Sequence, residues 1–150
     1  MIIVRSPLRI SLGGGGTDFQ SYYEQKEGFL ISAAIDKYVY VTIIEPFSEG
    51  LFFKYSELEK TNEIYNIKHP IIRETLDLIY PNVKKIEITT LAEVPSGTGL
   101  GSSGSFTTAL IAALYAHKGH YIDKQKLAEI ACDIEIKKLN QPIGKQDQYI

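Results

Sequence analysis

Between residues 95 and 105 the chain reads Pro95-Ser96-Gly97-Thr98-Gly99-Leu100-Gly101-Ser102-Ser103-Gly104-Ser105. Glycines at 97, 99, 101 and 104 remove the Cβ atoms that would keep a backbone away from a ligand. The run 85–94 that enters this stretch is apolar and β-prone, and the run 105–117 that leaves it is strongly helical. Ser102 and Ser103 are natural N-cap residues for that helix. Bare amides feeding a helix N-terminus, with about half a positive charge from the helix dipole behind them, form an anion site. Phosphate is the natural guest.

Spacing separates three kinds of phosphate loop. The nucleoside-triphosphatase loop needs Gly-Lys followed by Ser or Thr, but Gly144-Lys145 is followed by Gln146. Gly99 to Gly104 does read G-x-G-x-x-G. A dinucleotide fold would then require a second strand ending in an acid about 20 residues on, and a second helix follows instead. The third pattern, Pro-x-x-x-Gly-Leu-x-Ser-Ser, fits at every position from Pro95 to Ser103. A flexible Gly/Ser linker fits poorly, because ordered apolar patterns abut both ends.

Two acids and an arginine could work beside that loop. At ~100° per residue, Glu135 lies about 40° from Ala131, on the edge of an apolar helical stripe. A carboxylate there is costly unless paired, either with a lysine as an ordinary boundary residue or with a metal. Asp147 follows twelve residues later in Pro142-Ile143-Gly144-Lys145-Gln146-Asp147-Gln148, as a turn residue or a base. Arg9 sits on a strand whose other face carries Leu8, Ile10 and Leu12, directly before the glycines 13–16. It can pair with Asp147 or Asp18, or serve a site as its cation. His117 and His120 have metal-like spacing but no third ligand, which makes them surface features. Cys132 reads as a small buried or boundary residue.

The elements that must position these groups follow from periodicity. Residues 1–4 form a first strand and 5–12 an alternating one; Thr17-Asp18 cap a short helix to about Gln25. Residues 29–45 make two strands meeting near Asp36-Lys37, and 51–55 another. Residues 56–68 are polar and read as a mobile loop. A helix opens at His69-Pro70 and stops at about Tyr80; a strand runs 85–93. The helix over 105–117 is apolar on all sides and therefore buried. Asp123 caps a last helix whose inward stripe is Leu127, Ile130, Ala131 and Ile134.

Composition sets the bounds. The 150 residues suffice for one domain with a proper core. Net charge is −2 with dispersed Lys and Arg, which gives no reason to expect nucleic acid. One cysteine excludes an intrachain disulfide, and no run of 18 apolar residues or signal-peptide layout occurs. A cytoplasmic protein without a membrane partner is expected.

The loop 95–103 resembles the ATP loop of the GHMP small-molecule kinases. The motifs Ser6-Pro7-Leu8-Arg9-Ile10-Ser11-Leu12-Gly13-Gly14-Gly15-Gly16-Thr17-Asp18 and Pro142 to Gln148, with Ala34 to Tyr38, are similar to those of the D-glycero-D-manno-heptose 7-phosphate kinases. Fucokinase-type and galactokinase-like enzymes share parts of both motifs. The resemblance implies an α+β fold of the ribosomal protein S5 domain 2-like type, a mixed sheet packed against helices. It implies an N-terminal ATP-binding domain over 1–150 that phosphorylates the anomeric C1 hydroxyl of the heptose phosphate. Pro95, Gly97, Thr98, Gly99, Leu100, Gly101, Ser102, Ser103 and Gly104 would then hold ATP. Glu135 with Ser103, or Ser102 beside it, would hold Mg²⁺.

Asp147 would be the base or orienting group, although one extra residue separates it from Gly144 relative to the family loop. Arg9 would face developing charge, and Gly15, Gly16, Thr17 and Asp18 the sugar. Family members run to roughly twice this length, so a C-terminal domain is expected to be absent here and the chain alone inactive. A non-catalytic nucleotide-binding fragment is the alternative. An exposed apolar face in place of the missing domain would favour a homo-oligomer.

Overall fold

A computed structural model describes residues 1–95 and 97–150. Its centre is a five-stranded sheet: β1 (Ile2–Gly13), β2 (Ile31–Ile44), β3 (Gly50–Lys54), β4 (Leu58–Thr61) and β5 (Lys85–Ala92). The spatial order is β1-β2-β5-β3-β4, and only the β3–β5 pair is parallel. Four helices accompany it: α1 (Gln20–Tyr23), α2 (Pro70–Ile79), α3 (Ser102–His117) and α4 (Lys124–Cys132). This is the α+β architecture, with a mixed sheet backed by helices.

Alternation in β2 and β5 places Val41, Ile43, Ile86 and Ile88 against the helices. There they meet Leu76 of α2 and Leu110, Ile111 and Leu114 of α3, all fully buried. Helix α3 carries small or apolar residues on every side and is buried from Gly104 to Ile111. Fully burying one such aliphatic side chain contributes about 1.5–3 kcal/mol, so α3 is held by packing rather than by propensity.

Several expectations change. Within 29–45 there is one strand, β2, because the break near Asp36-Lys37 is absorbed as a bulge: Pro7 pairs Tyr38 while Leu8 pairs Ile35. The two segments at 1–4 and 5–12 are likewise the single strand β1. Leu8 is in the core, but Ile10 and Leu12 are exposed. The segment 56–68 contains β4 and a 3-10 turn, Ile64–Asn66, since Leu58–Thr61 pairs with β3 whatever its polarity. The early helix is only one turn, and Phe19, not Thr17 or Asp18, stands at its N-cap.

The sheet positions the site through its edge. β1 is an outer strand, and its free edge is covered by the start of α3. Arg9 N donates to Leu100 O at 3.0 Å, and Ser105 Oγ donates to Pro7 O at 2.6 Å. The glycine-rich turn is thereby docked on the strand that carries Arg9.

Candidate active site

Three of the turn's glycines have left-handed backbone, with φ of 80° at Gly97, 73° at Gly99 and 77° at Gly101. Gly97, Thr98 and Gly99 are exposed, as Pro95 is; Ser96, which the sequence motif includes, lies outside the described residues. Helix α3 begins earlier than periodicity implies. Gly101 occupies its N-cap without a side-chain bond, and Ser102 and Ser103 stand in the first turn instead of capping it. The first intrahelical bond is Ser105 N to Gly101 O at 3.0 Å, so the amides of 102–104 precede the ladder and have no helical acceptor. They point, with the helix dipole, to the exposed turn.

Glu135 meets this helix start. It is fully buried, and Ser103 Oγ donates to its Oε1 at 2.6 Å. Gln148 Nε2 donates to its Oε2 at 2.7 Å. No lysine or arginine among the described residues pairs with it, so the boundary-residue reading with a lysine partner does not hold. Beyond Cys132 the chain continues as a wider π-helical turn, Asp133–Lys138, which carries Glu135 inward from the stripe margin. Burial raises its pKa, against the hydrogen bonds from Ser103, Gln148 and Thr107.

Gln148 is a site residue that sequence reasoning passed over. It is 4% exposed, and Cys132 Sγ lies 3.7 Å from its Oε1, which orients the amide toward Glu135. Its place directly after Asp147 was no signal by itself. Only the fold brings it to Glu135.

Arg9 joins the turn to the second acid. Its Nε and Nη2 reach Asp147 Oδ1 at 2.8 and 2.6 Å, and Nη1 donates to Gly99 O at 2.5 Å. Of the two partners that sequence left open, Asp147 is the one observed. A Cβ on Gly104 would lie 2.5 Å from Asp147 Cβ, and one on Gly101 3.2 Å from Arg9 Cγ and Asp147 Cγ. These two glycines are what let the helix start and the acid touch. Among the residues singled out, Arg9, Gly99, Ser103, Glu135 and Asp147 therefore converge on one place.

The glycine segment 13–16 is exposed, and its neighbours are mostly structural. Thr17 Oγ1 donates to Gly14 O at 2.8 Å and Phe29 O at 3.0 Å. Asp18 is 8% exposed; its Oδ1 accepts from Gly16 N at 3.0 Å and its Oδ2 from Gln146 N at 3.1 Å. Both side chains are thus already engaged within the protein. Gly15 and Gly16 are exposed, and Gly16 gives its N–H to Asp18 and its carbonyl to Phe19 N. His117 lies beside Tyr80 and His120 is exposed, and among the described residues no cluster of three His, Cys, Asp or Glu could hold a metal by itself. A groove of about 620 Å³ is lined by residues that include Tyr23, Tyr115, Cys132 and Tyr149, and by no residue of 97–104.

The fold is thus an α+β domain whose mixed sheet docks a bare-amide turn at its edge, with a buried carboxylate and an Arg–Asp pair beside it. The chain belongs to the GHMP kinases: the model of the GHMP kinases N terminal domain matches residues 63–150. It is 30% identical to the D-glycero-alpha-D-manno-heptose 7-phosphate kinase of Campylobacter jejuni, over 99% of this chain and 47% of that protein. It is 28% identical to the galactokinase of Pyrococcus furiosus, over 99% and 43%. The crystal structure of a D-glycero-D-manno-heptose 1-phosphate kinase from Bacteriodes thetaiotaomicron superposes with a TM-score of 0.89 at 25% identity, covering 99% of this chain and 52% of that one. The chain thus spans about half the length of these relatives.

Proposed function

We propose that this chain is the ATP- and acceptor-binding half of a sugar-phosphate kinase that phosphorylates the anomeric C1 hydroxyl of D-glycero-D-manno-heptose 7-phosphate. The observation that carries the reading is the convergence of Ser103, Glu135, Arg9 and Asp147 on one exposed phosphate turn. The likeness to the Campylobacter jejuni heptose 7-phosphate kinase supports the acceptor.

Residues 97–104 hold the phosphates of ATP through backbone N–H groups, in a turn that needs no side chain to approach them. Ser103 and Glu135 are hard oxygen donors in contact, and Glu135 is a buried carboxylate with no protein cation. That set fits Mg²⁺, which takes one or two protein oxygens and completes its shell with phosphates and water. When bound there it neutralises charge on the phosphates. Gly15 and Gly16 form the floor for the sugar. Asp147 takes the proton of the acceptor hydroxyl as that oxygen bonds to the γ-phosphorus. The bond from the γ-phosphorus to the bridging oxygen breaks, and ADP leaves. Arg9 holds Asp147 in place and faces the charge of the moving phosphoryl group. In such transfers most of the acceleration comes from positioning and electrostatics, which is what this arrangement supplies.

The test is ADP release from ATP–Mg²⁺ with heptose 7-phosphate, galactose, L-fucose or mevalonate as acceptor, with calorimetric titration of each ligand. Selective turnover of the heptose supports the reading. Preference for galactose or fucose transfers it to a galactokinase-like or fucokinase-like enzyme. Binding of both nucleotide and heptose without turnover fits half a kinase, nucleotide binding without any acceptor leaves a non-catalytic nucleotide-binding module, and binding of neither ligand defeats both.

A further inference from the structure

Asp18 lies at an unusual junction for an acid. It is 8% exposed and has no Lys, Arg or His in ion-pair range among the described residues. A carboxylate in that setting must be stabilised by hydrogen bonds, and both of its oxygens accept from backbone N–H groups. One donor, Gly16, belongs to the exposed glycine segment, at 3.0 Å. The other, Gln146, is 128 positions away in the loop that carries Asp147, at 3.1 Å. The fit is tight. A Cβ built on Gly144 would lie 1.8 Å from Asp18 Oδ2 and 2.2 Å from its Cγ, so any side chain at 144 would expel the carboxylate.

We propose that Asp18 is a positioning residue, a clamp between the glycine segment and the loop 144–147, and not a ligand of the acceptor sugar. Gln146 immediately precedes Asp147, so a bond to its amide determines where the Asp147 carboxylate points. Arg9 restrains that carboxylate from the opposite direction, through contacts to Asp147 and Gly99. Asp147 is thus held from two sides: through its side chain by Arg9, and through the amide of the preceding Gln146 by Asp18. The Gly16 bond ties the other end of the clamp to the glycine segment. Gly144 completes the device by leaving room for it. The catalytic consequence rests on the kinase reading, whereas the clamp itself does not.

Two variants separate a clamp from a sugar ligand. Asp18→Ala removes the carboxylate, while Gly144→Ala evicts it without deleting any group that could touch a sugar. A misplacement of about 1 Å at a reacting group costs on the order of 100-fold. Both variants are therefore expected to lower kcat by about 10- to 100-fold, with the acceptor KM changed by less than about threefold, well inside that range. Hydrogen exchange at 144–148, followed by mass spectrometry, should accelerate in both while the core strands keep their protection. A rise in acceptor KM at preserved kcat in Asp18→Ala, with Gly144→Ala like wild type, would show a sugar ligand and overturn the clamp. If the chain alone phosphorylates none of the acceptors above, as expected of half a kinase, the kinase reading is judged separately by binding of ATP–Mg²⁺ and heptose 7-phosphate. The exchange measurement then decides alone, and unchanged protection at 144–148 in both variants overturns the proposal.

Discussion

Glu135 is a fully buried carboxylate held, among the described residues, by the hydroxyls of Ser103 and Thr107 and the amide of Gln148, with no cation. Removing it leaves Ser103 Oγ and Gln148 Nε2 without an acceptor, and one buried polar group stripped of its partner costs about 1–3 kcal/mol. Glu135→Ala is accordingly expected to lower unfolding free energy by about that amount in urea titrations. Glu135→Gln retains an oxygen for Gln148 and a nitrogen for Ser103, so it should be milder. Both should weaken Mg²⁺-dependent ATP binding in calorimetry. A Glu135→Ala protein as stable as wild type, with undiminished Mg²⁺ dependence, would return Glu135 to the status of an ordinary helix residue.

At the scale of elements, α2 shows how a titrating side chain can govern a helix start. His69 is its N-cap: Nδ1 accepts from Ile72 N at 3.5 Å, and the ring lies edge-on between Tyr55 and Phe106, 4.9 and 5.3 Å away. Burial lowers its pKa from 6.5, against the attraction of Glu59. Protonation would also abolish the acceptor at Nδ1. Since the folded pKa is the lower one, the stability His69 contributes is present above pH 6.5 and is lost as pH falls through the folded value. His69→Asn keeps a capping acceptor but does not titrate. Its melting temperature should start lower, through lost ring contacts, yet fall less steeply than wild type between about pH 7.5 and pH 5, a window spanning the usual imidazole pKa. Equal slopes would remove His69 as the cause. Tyr55, whose hydroxyl donates to Glu59 and whose pKa is pushed up to about 12, stays neutral throughout that window.

At the scale of the molecule, one hydrophobic core under the sheet carries a site built from three distant segments. β1 supplies Arg9, the turn into α3 supplies Ser103, and the C-terminal residues supply Glu135, Asp147 and Gln148. A ligand bound only by the folded state stabilises it by mass action, about 2.7 kcal/mol at 100 times its dissociation constant. Saturating ATP–Mg²⁺ should therefore raise the melting temperature, and EDTA should abolish the rise if Glu135 and Ser103 hold the metal. A rise unaffected by EDTA would place nucleotide binding on the turn alone. Among the described residues, no helix is long and apolar enough to cross a membrane.

What the chain's order of residues determined alone is local. Glycine spacing before an all-apolar helix marks a bare-amide turn, because positive φ and close approach both demand a missing Cβ. Asp123 as the cap of α4 and Pro70 in the first turn of α2 were readable for the same reason, since a cap is made within a few residues. Pairing overrode composition elsewhere. The polar residues 58–61 became β4 because β3 offered them a ladder, and Asp36-Lys37 became a bulge because β1 runs on past it. Periodicity placed Glu135 at a margin, and only the π-helical turn and the packing of Gln148 buried it. The sequence places Asp18 only beside its glycines, while the fold brings its carboxylate to the amide of a residue 128 positions away. Contacts across such separations depend on which surfaces the core brings together, and no window of neighbouring residues records that.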